Sequence, residues 1–174
     1  MICELNKGHG LDEERHRLSL SPAQVDKVAN AAVLGCLGSG AGHTRVLQAL
    51  TTGNQTEAEI AEVYLGYRPI TDVAELREVA NGITRMAGSA AQVRALDTLA
   101  RNRLDDRQSL DELGRLFPVS RSVDVQRAIA AVFIRSDYQL LPKPEMVRVL
   151  SQSRVKSPGG DDIIDILIRR LQMP

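Results

Sequence analysis

Two cysteines, three histidines and a recurrent arginine are the residue types in this 174-residue chain best suited to chemistry. Cys3, His9, His16 and His43 are all metal-ligand types. Their spacing fits no zinc pattern, however, and they fall in a polar, glycine-containing stretch, so no metal site is expected. Cys36 lies on the apolar stripe of a helix and reads as a small core residue rather than a reactive thiol. All three histidines occur at or before position 43, away from any nucleophile elbow, which leaves no Ser, His and Asp grouping. Gly35, Gly38, Gly40 and Gly42 resemble a phosphate loop, yet they follow a helix and no lysine stands after them. They read as a helix stop, and no cofactor is expected.

The arginines Arg94, Arg101, Arg127, Arg135 and Arg169 are the strongest candidate surface. All stand on one repeated type of helix, and evenly spaced guanidinium groups suit carboxylates or phosphates on an extended partner. Arg94 and Arg127 serve equally well as a structural ladder, each bonding an acid or helix end in a neighbouring repeat. Arg101, Arg135 and Arg169 are therefore the expected partner-binding residues, with Arg94 and Arg127 as ladder or binding residues.

The element that positions them is Ser122 to Arg135. At helical spacing Val125, Ala128, Ile129, Val132 and Phe133 share one side, Ala130 and Ile134 widen it, and Asp124, Arg127, Ala131 and Arg135 form a narrow polar stripe. Ser122 can cap this helix, and Asp124 complements its positive end. Similar stretches precede and follow it. Ile60, Leu96, Ile129 and Ile163 align at spacings of 36, 33 and 34 residues. At the offset of 33 Arg94 lies under Arg127, while Glu112, Leu113, Arg115 and Phe117 lie under Glu145, Met146, Arg148 and Leu150. Each repeat is thus two helices, and the period is that of stacked helical hairpins.

Capping signals mark further starts: Ser21 with Gln24, Thr71 and Asp72, Ser89 with Gln92, and Ser109 with Glu112. Pro69 and Pro118 close helices, and Ser157 to Gly160 is a turn. Residues 1–20 carry no apolar period and read as a flexible lead; residues 21–174 form one domain, with an extra helix at 21–37 and repeats over about 43–171. No alternating strand pattern occurs, so the chain is all α.

The 22 basic and 22 acidic residues cancel, which argues against nucleic acid or a membrane surface as the default partner. The first 87 residues hold 8 basic and 11 acidic groups and the remainder 14 and 11, a mildly acidic front and basic back. The absence of Trp leaves few rings for stacking bases. Two cysteines and no apolar run of membrane length predict a reducing compartment, the cytoplasm.

The long-helix copies, with Val93, Arg94 and Leu96 through Ala100, resemble the second helix of HEAT repeats of the short, phycobilisome-lyase-like bacterial type; DELGRLF and PEMVRVL resemble the first. The resemblance implies a right-handed α-solenoid of about four hairpins, here preceded by the extra N-terminal helix, and with it goes the expectation of a non-enzymatic scaffold that binds a protein on its concave face, an acidic one if the arginine series makes the contact. A small-molecule partner is not indicated. The alternative is a HEAT-repeat enzyme, lyase-like or nucleic-acid-processing. The di-iron hydroxylases of that architecture need His-Glu pairs, absent here, and the DNA glycosylases a basic face with Trp.

Overall fold

The computed structural model describes Cys3, residues 27–155 and residues 162–174. The Ser21 helix start, the Ser157–Gly160 turn and, Cys3 apart, the lead at 1–20 lie outside the described residues. Among the described residues there are nine α-helices, one 3-10 turn and no strand. They divide into two compact units, Met1–Thr71 and Asp72–Pro174.

In the first unit α1 (Val28–Cys36), α2 (Gly40–Thr52) and α3 (Gln55–Tyr67) all pack on one another. Of the four glycines expected to stop a helix, Gly35 and Gly42 prove to be packing residues. Gly38 does make the turn, with φ 98°, but Ser39 then caps α2 by accepting the Gly42 N–H at 3.1 Å, so Gly40 and Gly42 open a helix. A Cβ on Gly42 would lie 2.6 Å from the Ala31 carbonyl oxygen, and one on Gly35 would lie 2.6 Å from the Tyr64 hydroxyl. Only glycine lets these surfaces approach so closely. Tyr64 is buried, and its hydroxyl is hydrogen-bonded to Nδ1 of His43 at 2.7 Å. Asn54 and Glu57 form a reciprocal capping box at the start of α3.

Cys36 is buried, as its place on the stripe predicts, but it is not a free thiol. It is joined to Cys3 in a disulfide, with the Cα atoms 4.7 Å apart. A sequence separation of 33 residues could not show that the two meet. The pairing removes the support that two unpaired thiols lent to a reducing compartment.

The second unit contains three helical hairpins: α4 (Val73–Thr84) with α5 (Ser89–Arg101), α6 (Arg107–Val119) with α7 (Val123–Arg135), and α8 (Lys143–Ser153) with α9 (Ile163–Gln172). First helices lie beside first helices, α4 to α6 to α8, and second beside second, α5 to α7 to α9. Ser122 caps α7 as expected, and Asp72 caps α4. Two other starts differ. Gly88 rather than Ser89 stands at the head of α5 and has no side chain to cap it, Gln92 is turned inward, and Asp106 rather than Ser109 caps α6. Pro118 lies within the last turn of α6.

Val125, Ala128, Ile129, Ala130, Val132 and Phe133 are all buried, and the fully buried Gln126 joins them. Its Nε2 donates to the carbonyls of Phe117 at 3.0 Å and Ser153 at 2.9 Å, while its Oε1 accepts the Val155 N–H at 2.8 Å. Gln92 repeats the first bond one hairpin earlier, donating to the Ile83 carbonyl at 3.0 Å. Intervals of 34 residues separate Gln92 from Gln126, Ile83 from Phe117, and the caps Asp72 and Asp106. The first two hairpins of this unit therefore repeat at 34, so the offset of 33 is one residue out between α5 and α7, whereas between α6 and α8 it still sets the buried Leu113 and Phe117 under the buried Met146 and Leu150. Ile163 also changes place: it is the first residue of α9, whereas Ile129 lies in the middle of α7, because the connection before α9 is longer. Leu96 and Ile129 are fully buried, but Ile60 and Ile163 only partly.

Gln126→Ala would strand two carbonyls and an N–H, and urea titration should show a loss of about 2 kcal/mol or more, against about 1 kcal/mol for Gln92→Ala. Equal, negligible losses would mean the turns are held otherwise. For the first unit, the non-reduced protein should resist thiol alkylation, and Cys3→Ser should lower stability by about 3 to 4 kcal/mol through the longer free loop of the unfolded chain.

Candidate functional site

The five arginines of the sequence analysis do not come together. Arg101 and Arg135, 34 residues apart, are the last residues of α5 and α7, and both are exposed. Arg101 donates to the Thr98 hydroxyl at 3.3 Å. Arg169 is exposed in the last turn of α9, beside Arg170, which reaches the Tyr138 hydroxyl at 3.4 Å. Cations at these helix ends complement the negative ends of the dipoles.

Arg127 occupies a different setting. Its Nε donates to Oδ2 of Asp162 at 2.9 Å, its Nη2 approaches the same oxygen at 2.8 Å, and Asp124 lies at 3.8 Å. Asp162 caps α9, accepting the Ile164 N–H at 3.0 Å. Arg94 has no such bond among the described residues. The 34-residue register explains the difference: the counterpart of Arg127 is Val93, and one residue on a helix turns a side chain by about 100°. The neighbouring cap also differs, since α7 begins on Ser122, which offers no carboxylate.

Val93 and Arg127 both line a shallow groove of about 460 Å³ across the second helices, with Ala90 and Asp97 from α5, Asp124, Ala128 and Ala131 from α7 and Ile163 from α9. Small side chains leave this surface low, and Asp97 and Asp124 are exposed on it. Neither acid was a candidate from the sequence. Asp124 reads there as a helix-dipole residue, and only the interval of 34, which places Ala90 under Asp124 and Asp97 under Ala131, would have put the two on one strip.

Two more ion pairs tie this unit together. Arg77 on α4 grips Asp106 through two bonds, Nε to Oδ2 at 3.0 Å and Nη2 to Oδ1 at 2.9 Å. Asp106 also accepts the Ser109 N–H at 3.0 Å and the Ser109 hydroxyl at 2.7 Å. The Arg77 guanidinium first, and then Ser109, hold the Asp106 carboxyl at about 2, against the opposing effect of burial. Arg154 binds Asp165 at 2.6 Å, with both side chains largely buried, and lowers the Asp165 pKa mainly by that bond. For Asp162 burial is the largest influence and opposes ionisation, but the Ile164 N–H and Arg127 outweigh it and keep the pKa low.

Each of these shifted groups is engaged with a guanidinium that links two helices. Among the described residues no cluster of three or more His, Cys, Asp or Glu side chains is arranged to hold a metal. No known protein family, curated protein or solved structure matches the chain.

A carboxyl depressed in the folded state stabilises the fold above its ordinary pKa and loses that contribution as pH falls through the folded value. Urea midpoints should therefore drop between about pH 4 and pH 2, the window set by the ordinary 3.8 and the folded value of about 2. Asp106→Asn should start lower at neutral pH and fall less steeply; an unchanged acid slope would show that Asp106 is not ion-paired in solution.

Proposed function

We propose that this chain is a non-catalytic interaction module, a right-handed α-solenoid of HEAT-like hairpins whose second helices carry a protein partner. The observation that carries the reading is the groove across α5, α7 and the start of α9, an open strip built from equivalent positions of successive hairpins. Stacked repeats present such strips, and an extended segment or helix of a partner lies along them. The like-with-like packing of first and second helices within residues 72–174 supports the solenoid.

Charge selects the partner. The groove carries two exposed carboxylates, Asp97 and Asp124, against one guanidinium, Arg127, which is shared between Asp162 and Asp124, so its balance is acidic. A segment with small apolar side chains and a basic residue fits it. Acidic residues of the same partner would meet Arg101, Arg135 and Arg169 at the helix ends, which keeps the arginine series as an outer contact. No described helix is long and apolar enough to cross a membrane. The Cys3–Cys36 disulfide favours an oxidising compartment over the cytoplasm expected from free thiols.

Affinity capture from source extract, followed by binding measurements at two salt concentrations, tests this. The captured protein should lose affinity to Asp97→Lys with Asp124→Lys, and lose a smaller, salt-sensitive part to Arg135→Ala with Arg169→Ala. Binding that survives both double substitutions would remove the second helices as the docking face.

A further inference from the structure

On the first-helix side of the second unit, α6 and α8 leave a cavity of about 330 Å³ between them, a size suited to a small ligand. Its floor is apolar: Phe117 and Phe133 are fully buried, and Met146 and Leu150 nearly so. The mouth is charged, with Arg107 and Asp111 from α6 and Glu145 from α8. These three side chains make no hydrogen bond or ion pair with any described residue, in contrast to the arginines and aspartates that clasp the hairpins. Arg115, also at the rim, is bonded to Glu112 at 3.4 Å.

Gly114 is the second observation. It sits in the middle of α6, where glycine is unfavourable, and nothing in the packing requires it. A Cβ there would meet only Met146 Cε and Phe133 Cζ, each at 4.0 Å, an ordinary contact. Gly35 and Gly42, by comparison, are sterically obligatory. What the missing side chain leaves open at Gly114 is the space above Phe133 and Met146, which is the cavity itself.

We propose that this cavity binds a free α-amino acid with a large apolar side chain. Its side chain fills the space over Phe117, Phe133 and Met146, its carboxylate meets Arg107, and its ammonium meets Glu145 and Asp111. A purely anionic ligand would face two carboxylates at the mouth, and a purely cationic one would leave Arg107 without a partner. The zwitterion satisfies all three groups.

L-Phenylalanine is the probe, titrated into protein carrying 13C-labelled methionine methyls. The Met146 methyl should shift saturably while that of Met86, outside the cavity, does not. 3-Phenylpropionate, which lacks the ammonium, and 2-phenylethylamine, which lacks the carboxylate, should each bind about tenfold more weakly. Gly114→Leu fills the space and should abolish the shift. Arg107→Gln and Glu145→Gln alter exposed side chains, leave the core untouched, and should each weaken L-phenylalanine by about tenfold. No saturable Met146 shift up to about 10 mM, equal binding of all three probes, or binding indifferent to both rim substitutions would overturn the proposal.

Discussion

Gln126 is the residue on which the stacking of the second unit depends. A helix ends with carbonyls that have no partner in their own helix, and burying such an end is costly unless something donates to it. Gln126 is fully buried and donates to two such carbonyls, Phe117 at the end of α6 and Ser153 at the end of α8, so one amide closes its own hairpin and attaches the next. The Val155 N–H then fixes the orientation of the amide by bonding its oxygen. Apolar contacts between α7 and its neighbours tolerate small slips; this set of three bonds does not.

A second constraint couples helix starts to hairpin contacts. Asp106 and Asp162 each cap a helix and each receive a guanidinium from another hairpin, Arg77 from α4 and Arg127 from α7. The cap places the carboxylate where the arginine can reach it, and the arginine keeps the carboxylate ionised and therefore a good acceptor for the cap. Pairs on an open surface contribute little because two mobile side chains must be ordered. Here the aspartate is ordered already by its helix, which makes these pairs effective as clasps and takes Arg127 out of the supply of binding arginines.

Much of the fold was legible and some of the register was not. The helices from Thr71 onward follow from apolar spacing and from caps such as Asp72 and Ser122, because both signals are local. Between α5 and α7 an offset of 33 reads as well as the true 34, because Arg94 then matches Arg127 in type and Leu96 and Leu99 also fall on apolar residues. Helices buried on most of their circumference tolerate a one-residue shift in an apolar pattern. Gln92 and Gln126 were the better markers, since an amide on an otherwise apolar face has to bond something and does so at one register only. The disulfide and the ion pairs join residues distant in sequence, and periodicity carries no information about such meetings. The site suffers most: the arginines stand out by repetition, yet Arg101, Arg135 and Arg169 stand at helix ends, Arg127 in a clasp and Arg94 in neither, while the groove is kept low by Ala90, Ala128 and Ala131, whose small side chains are their contribution.

The glycines show how the same residue separates structural need from another use. At Gly35 and Gly42 a methyl group would collide with Tyr64 or with the α1 backbone, so the conformational cost of glycine is offset by a closer approach of helices. At Gly114 no collision exists, and alanine would be expected to strengthen α6 by about 1 kcal/mol. A weakness in the middle of a helix, with no packing gain, adjoins an open space whose rim holds three charged groups that bond no described residue. Packing accounts for none of these features, and the stacking of hairpins does not need them. A ligand that inserts an apolar body over Phe133 and presents both signs of charge at the mouth accounts for the space, the glycine and the charges together.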